Sequence, residues 1–159
     1  MPAPDPHVEA DPEFVYVIYI AASQQKVWDA LTDGETVRRW WADTQHDSTF
    51  KVGDPIIYRR NGKVDVRGEI LDRNEPHSLT YTFHVEGPGP QHDEGPTLVT
   101  YELQQSGANT MLKVTHTNFK AGSRVRIGIS SGWPAILSSL KSVLEGAPAP
   151  YHPDWERKS

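Results

Sequence analysis

The spacing of apolar positions changes several times along the chain. Phe14-Val15-Tyr16-Val17-Ile18-Tyr19-Ile20 is an unbroken β-branched and aromatic run, which predicts a strand covered on both faces. Ala21-Ala22-Ser23 ends it, and Ser23 is a good N-cap because its hydroxyl can accept from an unpaired helix amide. Val27, Trp28 and Leu31, with Ala30 beside them, recur at helical spacing until Asp33-Gly34. A second short helix is expected from about Glu35 to Trp41, with Val37, Trp40 and Trp41 as its apolar side. The period then falls to two. Phe50 and Val52 close one expected strand, and Ile56-Ile57-Tyr58 forms the next. Asn61-Gly62 predicts a hairpin turn, since both residues tolerate positive φ. Val64, Val66, Gly68 and Ile70 share one face; Asp65, Arg67 and Glu69 share the face expected to meet water. Leu79, Tyr81, Phe83 and Val85 alternate with polar residues, and Gly87-Pro88-Gly89-Pro90 opens a loop reaching Pro96. Val99, Tyr101 and Leu103 alternate again, Gly107-Ala108-Asn109 turns the chain, and Leu112, Val114 and His116 follow on one face.

Trp133, Ile136, Leu137, Leu140, Val143 and Leu144 then return to spacings of three and four, one apolar stripe of a last helix that Gly146 stops. Pro134 leaves two beginnings open. The helix starts near Gly132 with Pro134 in its first turn, or it starts at Ser123 and carries Pro134 inside. Strand, two short helices, six strands and a long helix make an α+β layer with helices on one side of an antiparallel sheet. A long helix across a curved sheet need not fill the interior, which leaves room for a pocket.

Composition and charge sharpen this picture. The 159 residues suit one domain rather than two, and 36% hydrophobic residues with five Trp, six Tyr and four Phe suit a packed core. A net charge of −5 without a long basic run argues against nucleic acid and anionic membranes as partners. No run approaches the ~18 apolar residues that span a bilayer, and the N-terminus lacks the pattern of a secretory signal, so a cytoplasmic protein is expected. There is no Cys, which excludes thiol catalysis, disulfides and Cys-ligated metals. Residues 1–12 are expected as a flexible arm, 13–146 as the domain and 147–159 as a tail. Tyr151 and Trp155 make that tail either a solvated terminus or an aromatic clasp on the domain or on a second subunit.

The run Val27-Trp28-Asp29-Ala30-Leu31-Thr32-Asp33 followed by Trp40-Trp41 resembles the opening of the heat-shock protein 90 ATPase activator-like family, in the START-like SRPBCC superfamily. Gly53-Asp54, Gly68-Glu69-Ile70-Leu71 with Pro76 and Leu79, Val99-Thr100-Tyr101-Glu102-Leu103, Thr110 to His116, and Gly132-Trp133 continue it in order over about residues 14 to 145. The resemblance implies a helix-grip (START-like) fold: a curved antiparallel sheet of about seven strands around a long C-terminal helix, two short helices after the first strand, and a cavity between sheet and helix. It favours the longer form of that helix. It implies no cofactor and no single activity, because the superfamily holds carriers as well as enzymes. The separate N-terminal domain of the eukaryotic co-chaperones has no counterpart in residues 1 to 13.

Alternation places Tyr81, Phe83, Tyr101, Leu112, Val114 and His116 toward the helix, with Trp133, Ile136, Leu137 and Leu140 facing back and Trp40 and Trp41 closing one end. Together with Tyr58 these are the candidate ligand-binding residues: Trp40, Trp41, Tyr58, Tyr81, Phe83, Tyr101, Leu112, His116, Trp133, Ile136 and Leu137. A mostly apolar set with a few polar groups is the composition of a small-molecule pocket, and equally of a filled core. His116 orients a ligand or moves a proton on the first reading, and is a core imidazole satisfied by a neighbouring hydroxyl or backbone group on the second. No histidine pair has helical metal-ligand spacing, and Gly-x-Ser-x-Gly is absent. Arg59-Arg60 and Arg124-Val125-Arg126 read as solvated basic pairs, unless one stands at a cavity mouth. Three functions are therefore carried forward: a non-catalytic domain enclosing a small apolar or aromatic ligand, a cavity enzyme using His116 and a tyrosine hydroxyl, and a chaperone-linked or self-associating interaction domain that forms a homodimer.

Overall fold

A computed structural model describes residues 9–41 and 44–150. The elements run β1 (Phe14–Ile20), α1 (Gln24–Thr32), α2 (Val37–Trp40), β2 (Thr44–Asp47), β3 (Pro55–Arg60), β4 (Lys63–Asn74), β5 (Ser78–Val85), α3 (Pro90–Asp93), β6 (Thr97–Ser106), β7 (Asn109–Thr117) and α4 (Arg124–Leu144). All seven strands join one antiparallel sheet in the order β1-β7-β6-β5-β4-β3-β2. Only the β1–β7 pairing links strands distant in sequence; the others join strands that follow one another in the chain, β3–β4, β4–β5 and β6–β7 through tight turns. Asn61 and Gly62 both take positive φ, 51° and 79°, between β3 and β4, the geometry a two-residue hairpin demands.

The sheet curls where β4 meets β5. A Cβ on Gly68 would lie 1.7 Å from the Thr82 carbonyl oxygen. Only a glycine lets the two backbones approach so closely. The pairing register also shifts between Ile70 and Asp72, and such irregularities bend a strand. The concave face thus formed receives α4. Its stripe of Trp133, Ile136, Leu137 and Leu140 is buried against Tyr81, Val99, Tyr101, Leu103, Leu112 and Val114. The order of elements predicts the α+β layer, and the arrangement is the helix-grip fold that the family resemblance implies.

Of the two beginnings open for α4, the structure takes the earlier. Ser123 is its N-cap, accepting from Arg126 N, and Pro134 lies inside. The orphan amides of the first turn are held by carboxylates: Glu94 accepts from Arg124 N at 2.7 Å and Val125 N at 3.2 Å. Asp11 accepts from Gly122 N and Ser123 N. Negative groups there meet both the unpaired N–H groups and the helix dipole. Asp11, placed in the flexible arm by its sequence, is therefore tied to α4 by these contacts. Tyr151 and Trp155 lie outside the described residues.

Two sequence expectations need correction. β1 is not covered on both faces: Val15, Val17 and Tyr19 are 42%, 44% and 54% exposed. It lies at the end of the sheet, where α4 covers one face only, and apolar residues on the open face hid the alternation. Phe50 and Val52 do not close a strand. Phe50 is buried in a left-handed turn conformation with φ 57°, and Val52 is exposed. The strand is the earlier Thr44–Asp47, whose inward residues Thr44 and His46 are polar, so no apolar period announced it.

Candidate functional site

Beside α4 the interior holds a packed aromatic cluster. Tyr58, Tyr81 and Tyr101 point inward from β3, β5 and β6 and join their hydroxyls: Tyr81 bonds to Tyr58 and, at 2.8 Å, to Tyr101. Burial raises all three phenols, Tyr101 to about 12 and the other two well above their ordinary value, so the cluster is neutral near pH 7. Leu112 and Leu137 are fully buried in the same layer.

His116 lies in a closed relay. Trp133 Nε1–H donates to its Nδ1 at 3.1 Å. An accepting Nδ1 places the proton on Nε2, which is 2.7 Å from Thr97 Oγ1 and donates to it. The Thr97 hydroxyl in turn donates to the Phe83 carbonyl at 3.0 Å. Burial lowers the His116 pKa to about 3, so the ring is neutral. Both nitrogens are used within the protein, which leaves none for a substrate proton. The relay joins α4 to β5, β6 and β7.

A second buried imidazole escaped the sequence reading. His46 stacks on Tyr58 with centroids 4.0 Å apart and meets Trp40 and Trp41 edge-on. Burial lowers its pKa to about 3 as well, and neither nitrogen has a partner among the described residues. A Cβ on Gly34 would lie 2.0 Å from the His46 carbonyl oxygen, so that glycine seats the strand carrying this ring. Trp40 closes the box on the inside, donating to Ala30 O at 3.3 Å.

Open space exists toward the other end. A cleft of about 300 Å³ lies between the first turns of α4 and the ends of β3, β4 and β5. Trp41, Val66, Phe83, Val125, Trp133 and Ile136 supply apolar wall, and Arg60, Asp65 and Gln91 supply its polar side. Arg60 and Asp65 pair at 3.6 Å. Gly128 and Gly132 sit on the helical wall; a Cβ on Gly132 would touch nothing, and one on Gly128 would meet only Gln91, at 3.5 Å. A second hollow shares Val85, Gln91 and Gly128 with the first and continues it under the Gly87–Pro90 loop toward Arg124 and Ile127.

Of the eleven predicted site residues, the cleft brings together Trp41, Phe83, Trp133 and Ile136. Trp40, Tyr58, Tyr81, Tyr101, Leu112, His116 and Leu137 instead form packed core. Arg60 was legible: Ile56, Tyr58 and Arg60 alternate onto one face of β3. Val125 and Ile129 were legible by extending the α4 stripe backward from Trp133. Gln91 carried no signal, because its place depends on the loop. Among the described residues no group of three or more His, Asp or Glu is placed to hold a metal ion, and no helix is long and apolar enough to cross a membrane.

The profile of the family described as Activator of Hsp90 ATPase homolog 1-like protein matches residues 21–145. The chain belongs to that family. Within the START-like superfamily, similar solved structures share the fold. Protein MLL2253 from Mesorhizobium loti is 24% identical, with a TM-score of 0.75 over 84% of this chain and 97% of its own. The Aha1 dimer from Colwellia psychrerythraea is 24% identical, with a TM-score of 0.70 over 86% of this chain and 98% of its own. PFC0360w, an HSP90 activator from Plasmodium falciparum, is 20% identical, with a TM-score of 0.71 over 84% and 96%. No curated protein matches the chain.

Proposed function

We propose that this member of the family is a non-catalytic binding domain that takes a small apolar or aromatic molecule into the cleft beside the N-terminal half of α4. The observation that carries the reading is the apolar-walled space of about 300 Å³ that Gly128 and Gly132 leave open. Its size falls at the lower end of small-molecule sites, and a few polar groups on one side match their usual make-up. Glycine in a helix interior costs roughly 0.5–1 kcal/mol relative to alanine, so two such positions facing one hollow fit a wall kept thin for an occupant. Catalysis through His116 fits poorly, because Trp133 and Thr97 occupy both ring nitrogens. The test is a binding screen of aromatic and lipid-like metabolites by ligand-observed NMR, with Gly132→Leu as the blocked control. Binding that the control abolishes supports the reading, and a screen without a binder defeats it.

Self-association is a second reading with its own support. Val15, Val17 and Tyr19 expose apolar surface on the terminal strand of the sheet, the kind of edge that proteins otherwise protect. The Colwellia psychrerythraea relative is described as a dimer. Sedimentation equilibrium of the full chain and of Val17→Lys tests it: a dimer that the variant dissociates is expected, and a monomer at all concentrations excludes it.

A further inference from the structure

The outer face of β1 is apolar and open. Val15, Val17 and Tyr19 are all more than two-fifths exposed, and they stand opposite Thr115, Lys113 and Met111 of β7. Met111 continues the patch into a hollow of about 390 Å³ that Ser78, Gln104 and Lys113 also line. A patch of this kind amounts to a few hundred Å², whereas each partner in a stable dimer contributes about 800 Å². The face is therefore too small to hold a second copy by itself, and self-association through it needs further surface.

The chain supplies that surface in the right place. The last turn of α4 is bound to the end of β1: Glu145 Oε2 accepts from Ala21 N at 2.8 Å, and Lys141 Nζ donates to Tyr19 O at 2.8 Å. Gly146 takes a positive φ of 86° just past the helix. The sequence then runs on through Pro148, Pro150, Tyr151, Pro153 and Trp155. Proline lacks an amide N–H and fixes φ, so such a segment suits polyproline extension and side-chain docking rather than strand pairing. At about 3.1 Å per residue the stretch from Gly146 to Trp155 spans roughly 28 Å, more than the ~20 Å length of a strand such as β1. That reach crosses the whole face of a second copy packed on this one, whichever way its β1 runs.

We propose that two copies of the chain meet through the outer faces of their β1 strands, and that segment 151–155 of each clasps the other. Tyr151 and Trp155 lie on the apolar face formed by Val15, Val17 and Tyr19 of the second copy and in the hollow beside its Met111. This rests on the self-association reading above and adds the segment that completes its interface. Aromatic anchors seated in pockets carry much of the energy of such interfaces, and a proline-stiffened segment loses less freedom on docking.

The test uses the full chain throughout. Sedimentation equilibrium should give a dimer, and Tyr151→Ser combined with Trp155→Ser should weaken it roughly 100-fold, because each lost anchor counts twice in a two-fold dimer. Both substitutions lie outside the packed core, so the melting temperature of the domain should not change. The chain has no cysteine, so Gln104→Cys combined with Glu156→Cys introduces one pair at the hollow and beside Trp155. After mild oxidation, peptide mapping should find 104 joined to 156 between chains. A dimer that the serine variant leaves unchanged overturns the clasp and leaves self-association standing. A dimer in which 104 is joined to 156 within one chain places the segment on its own β1 face and likewise overturns the clasp alone. A monomer at all concentrations overturns both.

Discussion

Two buried imidazoles face the same cost in different surroundings. His116 has both nitrogens bonded, and His46 has neither bonded among the described residues. Replacing His116 by Phe leaves the Trp133 N–H unmatched in a dry interior and should destabilise the protein by about 2–4 kcal/mol. The same change at His46 removes two unpaired polar atoms from an aromatic box and should stabilise it by about 1–2 kcal/mol. Urea unfolding at pH 7 separates the two; a His46→Phe protein weaker than the parent would show that the ring has a polar task. Acid should act through both. Each is held near a pKa of about 3 by burial, whereas an unfolded histidine titrates near ~6.5. Between these values the unfolded chain binds more protons, so stability is complete above the unfolded pKa and falls as the pH drops toward about 3. From pH 7 to pH 5 the loss should be about 3–4 kcal/mol for the two rings together. Unchanged urea midpoints across that range would contradict their burial as neutral groups. Alternation in β7 made the inward direction of His116 legible. Its tautomer was not, because that depends on Trp133 and Thr97 arriving from elsewhere in the fold.

At the scale of elements, two glycines predict opposite outcomes. Gly68→Ala would drive a methyl to within 1.7 Å of the Thr82 carbonyl oxygen where the sheet curls. The β4–β5 pair would have to separate, at a cost of about 3 kcal/mol or more. Gly132→Ala adds a methyl in open space inside a helix and should stabilise the protein by roughly 0.5–1 kcal/mol. Paired melting curves check both, and a destabilised Gly132→Ala would mean that the helical wall is already full. Elements with a strong apolar period, such as β5, β6, β7 and the later turns of α4, could be read directly. β2 could not, since its buried residues Thr44 and His46 are polar. In β1 apolar residues on the exposed face concealed the period of two. The first turns of α4 were obscured by Gly128, Gly132 and Pro134, each a poor helix former, and their helical state is set by capping from Glu94, Asp11 and Ser123.

The whole molecule is a curled sheet closed on one helix, with a cleft beside the N-terminal half of that helix. Element order made the α+β layer legible, because six strands in succession followed by an amphipathic helix leave few layer arrangements, and the family resemblance of the motifs from Val27 to Trp133 narrowed it to the helix grip. The position of the hollow was not legible. Alternation assigns eleven inward-facing residues to one pocket, whereas four of them line the cleft, beside the stretch of α4 that carries Gly128 and Gly132. Sequence periodicity reports which way a side chain points, and only packing reports where side chains run out. The central claim is that this opening carries a ligand. Native mass spectrometry of the parent and of Gly132→Leu, each isolated from the cells that make the protein, tests it most directly. A small molecule bound one-to-one to the parent and missing from the variant is the predicted result. Bare protein in both spectra, or the same adduct on both, would contradict it.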